Sequence, residues 1–294
     1  MIKHALLHCP QIGPARLKKL HASELRTWED VLQREHELPS GIRAPIVAEV
    51  QRCVAALEAH DIRYFVDNLA TQDRWRILAH FLDDVTFFDI ETAGLEYDDP
   101  ITMIACWHRG EVHHFVEHEN LDDFLELLDD VRLLSSFNGS TFDVPRVLDS
   151  FHIPALPCPH LDLRWLCFHQ DLRGGLKEIA FRLGISRPPD LQSADGEMAI
   201  RLWARWEHFQ DAQAREDLIR YCVSDVLLLV VLANRLVGSD SMNAQDIWKS
   251  LPFSTGTAAT TTTDPDDHSQ QQPNAQAFGV GSPSRLRARR KRVG

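Results

Sequence analysis

One octapeptide constrains the rest of the chain. Val85-Thr-Phe-Phe-Asp-Ile-Glu-Thr92 is β-branched and aromatic, the composition of a buried strand. Alternate residues of a strand share a face, so Asp89 and Glu91 point together from among Phe87, Phe88 and Ile90. Unpartnered buried carboxylates are costly, so the pair requires a cation or hydrogen-bond donors. The triplet Asp-x-Glu alone says little. With 27 Asp and 16 Glu in 294 residues, about 1.5 such triplets are expected by chance. The second one, Asp195-Gly196-Glu197, lies in a polar stretch and reads as a helix N-terminus, where acids suit the dipole.

The strand also marks a change of texture. Before it, Leu17, Leu20, Leu25, Trp28, Val31 and Leu32 recur at helical spacing, as do Ile46, Val50, Val54 and Leu57. Pro and Gly punctuate these helices, and no β-rich run interrupts them. After it, ITMIACW (101–107) and EVHHFV (111–116) predict a hairpin turning at Arg109-Gly110. A helix is expected over 121–130, a strand over 131–137 and a short helix over 142–150. HLDLRWL (160–166) reads as a fifth strand or a strand-to-helix junction. Helices follow over 175–183, 199–206 and 214–236, the last centred on VLLLVVLA. Strands first, then alternation with helices, predict an α/β fold: a mixed sheet with an antiparallel hairpin on one side. The divisions expected are a helical region over 1–80, the α/β domain over 81–240, and a disordered tail over 241–294. That tail is rich in Thr, Gln and Pro and ends in a basic run from Arg285 to Arg292.

Two further features carry carboxylates. Asn138-Gly-Ser-Thr-Phe-Asp143 follows the fourth strand, and its pattern N-x-x-x-F-D is expected only about 0.03 times by chance in this composition. Tyr221 and Asp225 lie four apart on the long helix and therefore share a face. Asp225 adjoins Val226, Leu227 and Leu228, where helix propensity alone would not place a charge. Four carboxylates and a phenol would then converge, and clustered like charges cannot stay ionised without cations. Oxygen ligands point to hard ions, Mg²⁺ or Mn²⁺, with Asp89, Glu91, Asp143 and Asp225 as the metal ligands. Two such ions roughly 3.5–4 Å apart suit in-line displacement at a phosphodiester, one activating water and the other stabilising the leaving oxygen.

At this point the chain resembles a family. DIETAGL, NGSTFD and YCVSD look like the three exonuclease motifs of the DEDD superfamily. Tyr221 marks the Tyr subtype (DEDDy), because Arg220 stands where the His variant would place its histidine. The likeness is closer still to bacterial RNase H-like proteins of the YprB type, where it extends through HLDLRWL, GGLKEIAFRLGI and DGEMAIRLW and covers about residues 83–236. The resemblance implies a ribonuclease H-like fold and 3′→5′ release of nucleoside 5′-monophosphates. It implies that Asp89 bridges both ions, that Glu91 and Asp225 complete one site, and that Asp143 supports the other, partly through water. Tyr221 would orient the attacking water, and Thr92 and Asn138 would contact the terminal nucleotide. Ala93 departs from the family's usual Thr.

HCPQIGPARLKKLHASELRTWEDVL resembles a helix-hairpin-helix module. There a glycine turn lets backbone N–H groups approach a phosphate. Gly13 would be that turn, with Arg16, Lys18 and Lys19 beside it, although Gln11 replaces one expected glycine. A plain helical pair packed on the α/β domain is the equal alternative. Asp162 reads as support for the site or as purely structural. Lys177 reads as a phosphate contact or a surface lysine, and Trp165, Trp203 and Trp206 as core. The histidines lack metal spacing, and six cysteines without a C-x-x-C pair read as reduced thiols without structural zinc.

The net charge is −12, and −15 over residues 1–251, which argues against a general nucleic-acid coat. No apolar run is long enough to span a membrane, and no leader is visible, so a cytoplasmic protein is expected. The sequence thus predicts a two-metal 3′→5′ exonuclease acting on single-stranded or frayed DNA or RNA. A structure-specific endonuclease, and a non-catalytic nucleic-acid-binding subunit of a repair complex, stay open as alternatives. A repair or helicase protein is an allowed partner.

Overall fold

The strand at Val85 takes the centre of a mixed five-stranded sheet in the computed structural model, which describes residues 1–239, 242 and 244–253. The strands are β1 Val85–Thr92, β2 Ile101–His108, β3 Glu111–Val116, β4 Leu133–Ser136 and β5 His160–Asp162, in the order β3-β2-β1-β4-β5. The hairpin side is antiparallel, as its short Arg109-Gly110 turn requires. β4 pairs parallel to β1 and β5 parallel to β4, so the carboxyl ends of all three open on the same edge. The β1–β2 register shifts between Glu91 and Thr92.

Helices α1 Pro14–Ala22, α2 Trp28–Gln33, α3 Ser40–Glu58, α4 Ile62–Asn68 and α5 Trp75–His80 form the N-terminal region. Local chemistry sets their starts. Thr27 and Asp30 make a reciprocal capping box on α2, and Asp61 accepts from the Tyr64 N–H at 3.0 Å to start α4. The buried stripe of α3 is Ile42, Ile46, Val50 and Cys53, with Val54 and Leu57 only partly covered. A buried polar network ties this region together. Tyr64 donates to Glu49 Oε1 at 2.6 Å, and His8 Nε2 lies 3.1 Å from Cys53 Sγ.

The sheet separates two apolar layers. Phe88 and Ile90 face α6 Asp123–Leu128 and α7 Asp143–Ser150, packing with Phe124, Leu128 and Val147. Val85 and Phe87 face the other way, into the core that also holds the N-terminal helices. That side carries α8 Leu163–His169, α9 Leu176–Arg182, α10 Gly196–Phe209 and α11 Ala212–Val237. α11 packs across β1 and β2, and its residues from Cys222 to Asn234 are buried all round, as a helix apolar on every side must be. Asp211 caps its start and Gly238, at φ +68°, ends it. Asp195 caps α10, accepting from Met198 N–H at 2.9 Å, as its place in Asp195-Gly196-Glu197 predicts.

Some expectations change. HLDLRWL is both alternatives at once, a three-residue strand followed by a helix. Trp203 is core, but Trp206 is only partly buried and Trp165 is 48% exposed. Structure continues past residue 240: α12 Ala244–Ile247 buries Ile247, and Trp248 Nε1 donates to Ser186 O at 3.1 Å. The rest of the expected tail, including Arg285 to Arg292, lies outside the described residues. All six cysteines are buried and free of disulfides. No described helix is long and apolar enough to cross a membrane.

Candidate active site

Val85 and Phe87 fill the core beneath α11, and Asp89 and Glu91 continue the same row toward the carboxyl end of β1, where the core gives way to a groove. α11 presents Tyr221 and Asp225 to that point, one turn apart. Cys222 between them closes the contact, its Sγ 3.8 Å from Asp89 O. One oxygen each from Asp89 and Glu91 and the Cys222 sulfur all lie within 4.8 Å of one another. Asp143 enters from the start of α7 and is 3% exposed.

The turn before Asp143 has little freedom. Asn138 takes the left-handed conformation at φ +69°. A Cβ on Gly139 would overlap the Ser136 hydroxyl and stand 3.2 Å from Asp143 Oδ2, so the chain needs glycine there. Asp162 holds the turn in place. It accepts from Asn138 N–H at 2.8 Å, from Ser140 N–H at 3.1 Å and from the Ser140 hydroxyl, while capping α8 at Arg164 N–H. Its role is therefore to brace the loop carrying Asn138 and Asp143. Asn138 Oδ1 accepts from Thr141 and Arg164.

Burial dominates the electrostatics. It raises Asp89 to about 7, against the opposing pull of Arg187 and Lys177. Glu91 and Asp143 rise well above the carboxylate range, first by burial and then by the charge of Asp89. Burial and the charges of Glu91 and Asp89 raise Tyr221, which keeps its proton. The Cys222 thiol is likewise pushed up by burial and stays neutral.

Two cations answer the four carboxylates. Lys177 Nζ donates to Tyr221 Oη at 3.0 Å and Ala194 O at 2.9 Å, and lies 3.8 Å from Asp225 Oδ2. Burial and then Arg187 lower its pKa to about 8. Arg187 pairs directly with Asp225, and both side chains are less than a tenth exposed. Lys177 thus belongs to the cluster, while Arg187 is a residue that the sequence patterns miss. With both present, two negative charges remain uncompensated if all four carboxylates ionise. An oxygen-rich, charge-excess groove fits a divalent cation. The groove, of about 450 Å³, is lined by Asp89, Phe137, Lys177 and Asp225 among others.

Asp89, Glu91, Asp143, Tyr221 and Asp225 therefore meet in one place. Thr92 is buried next to them, its hydroxyl donating to Gly94 O at 2.7 Å. Gly13 stands elsewhere, at the exposed start of α1, with an extended backbone that any residue could adopt. Gln11 holds the left-handed φ of +63° that favours glycine.

The family profile described as the RNase H superfamily matches residues 86–237. No curated protein matches the chain. Among solved structures, the chain is similar to the family B DNA polymerase of Pyrobaculum calidifontis at 16% identity and TM-score 0.39, over 56% of this chain. The match spans only 28% of that polymerase. It is also similar to the Nibbler EXO domain of Aedes aegypti at 16% identity and TM-score 0.31, over 61% of this chain and 91% of that one.

Proposed function

The chain belongs to the RNase H superfamily, and on that premise we propose that it is a divalent-cation-dependent 3′→5′ exonuclease. It releases nucleoside 5′-monophosphates from single-stranded or frayed DNA or RNA ends, as a protein of the DEDDy, YprB-like type working in the cytoplasm. One observation supports this reading above all: three separated motifs bring four carboxylates and a protonated phenol together beside the carboxyl end of β1, with Asp89 and Asp225 lining the groove.

In this reading Asp89, Glu91, Asp143 and Asp225 hold the cations. Bound Mg²⁺ or Mn²⁺ would supply Lewis acidity, lowering the pKa of water and offsetting charge on the leaving oxygen. The protein's own groups do the positioning. Tyr221 has an oxygen fixed by Lys177 and a proton it does not release, so it orients a water by hydrogen bonding rather than acting as base. Lys177 and Arg187 place positive charge where a phosphodiester gains negative charge. Thr92 and Asn138 border the place of the terminal nucleotide. The exposed start of α1, with Gly13, Lys18 and Lys19, is a second phosphate contact in this proposal.

The test uses 5′-labelled single-stranded DNA and RNA of one sequence with Mn²⁺, comparing the native chain with Asp89→Asn. The expected result is a descending ladder from the 3′ end, absent in the variant. A discrete internal cut would replace the exonuclease by an endonuclease. Cation binding without any cleavage would leave a binding module.

A further inference from the structure

The carboxyl ends of the parallel strands follow one another along a single edge, β1, β4, then β5. Ligands of open α/β sheets gather at such ends. β1 ends at the carboxylates and β4 at the turn from Asn138 to Asp143. β5 ends at Asp162, which starts α8. The outer face of α8 carries two aromatic rings: Trp165 is 48% exposed and Phe168 39%, edge to face at 5.9 Å. The same helix buries Leu163, Leu166 and Cys167, so the core was available to apolar residues and these two lie outside it.

A cavity of about 450 Å³ opens against the rings, with Arg74, Ser140 and Asp162 in its wall. Ser140 also belongs to the turn that delivers Asp143, so one turn links this cavity to the carboxylate cluster. Two strand spacings, about 10 Å, separate β1 from β5. Charge around the rings suits a phosphate backbone. Arg173 lies over the Phe168 ring at 4.2 Å, and Arg164 is exposed beside Trp165. The acid in the wall, Asp162, is already engaged by the N–H groups of Asn138, Ser140 and Arg164 and by the Ser140 hydroxyl.

We propose that Trp165 and Phe168 form a stacking subsite for an unpaired nucleobase upstream of the terminal nucleotide, with Arg74 and Arg164 flanking its phosphates. The inference rests on the carboxylate cluster being the reaction centre. It gives the single-strand preference of that reading a physical basis, because a base in a duplex has both faces covered by its neighbours. Aromatic stacking is tolerant of sequence, so the subsite reads strandedness rather than base identity.

A binding experiment decides it. Fluorescence anisotropy is measured with labelled single strands, from dinucleotide to octanucleotide, in an Asp89→Asn background with and without Trp165→Ala. The parent should bind more tightly as the strand lengthens past the terminal nucleotides. Trp165→Ala should remove that gain and weaken the octanucleotide about tenfold. Trp165→Phe, which keeps a ring face, should recover most of the loss, and unchanged melting temperatures would show that both variants fold. A single abasic position, moved along the octanucleotide, should weaken the parent at one place and leave Trp165→Ala indifferent there. Equal affinities for parent and Trp165→Ala, or abasic profiles that coincide, would overturn the subsite. The cleavage ladder of the native chain reads the reaction centre separately. Loss of the ladder with a Trp165-dependent affinity would overturn the exonuclease reading and leave the base-binding site standing.

Discussion

Burial holds the Asp89 carboxyl at about 7, far above the 3.8 of an ordinary aspartate, and the sign of its effect on stability follows. Below pH 3.8 the group is protonated both folded and unfolded, and it costs nothing. As pH rises toward 7 the unfolded chain ionises first, which favours unfolding, and above 7 the penalty is complete. Asp89→Asn removes the ionisation. In metal-free buffer the variant should melt higher than the native chain at pH 8, by about 2–4 °C for each kcal/mol relieved. The advantage should shrink steadily toward pH 5. Added Mn²⁺ should raise the native melting temperature more than that of the variant, because a ligand stabilises only the state that binds it. Parallel melting curves at all pH values, with or without the ion, would show that Asp89 carries no such strain. At this scale the sequence was most readable where a residue violates its surroundings, as Asp89 does among phenylalanines and Asp225 among leucines. Arg187 shows the limit. Its ion pair with Asp225 joins segments far apart in the chain, and nothing in ISRPPD distinguishes it from a surface arginine.

Elements were legible where one periodicity ran unbroken. β1 opens as an unbroken β-branched and aromatic run with its two acids two apart, and α11 carries an uninterrupted apolar centre, so both emerged with the right faces. Trp165 was misread because the period changes from 2 to 3.6 at Asp162. Read as strand, position 165 follows 161 and 163 inward; read as helix from Leu163, it falls on the outer face with Arg164 and Phe168. The turn after β4 was visible as a motif, but its steric reason was not. A methyl at Gly139 meets Ser136 and Asp143, whereas one at Gly175, which caps α9, meets nothing within 4 Å. Gly139→Ala should therefore destabilise by about 1–3 kcal/mol and depress cleavage by moving Asp143. Gly175→Ala should stay within about 0.5 kcal/mol of native. Chemical denaturation of the two variants checks this, and equal midpoints would mean that the turn yields without strain.

Composition divides the whole chain near residue 80, yet packing does not. Residues Met1–Thr255 form one compact unit, and a single buried cluster runs from Ile2 through Trp28, Phe65 and Phe87 to Ile247. Trp28 stacks on Phe65 with centroids 6.1 Å apart, and Arg63 donates to Pro157 O at 2.8 Å, 94 residues away. Such contacts leave no local pattern, because either partner alone looks like an ordinary apolar or basic residue. Their consequence is that the helices before β1 pack against α11 and α8, α11 being the helix that covers the face of the sheet from which Asp89 and Glu91 project. Without residues 1–80, α11 loses part of its own packing, and with it the support that holds it over β1 and the carboxylates. The full chain should therefore unfold in one cooperative transition, followed by both tryptophan emission and far-ultraviolet circular dichroism. A fragment starting at residue 81 should expose apolar surface to a hydrophobic dye and broaden or lose that transition. If the fragment instead melts cooperatively at a temperature close to that of the full chain, the N-terminal helices are an accessory rather than part of the core. Their contribution would then have to be sought in binding, at Gly13 and the lysines beside it.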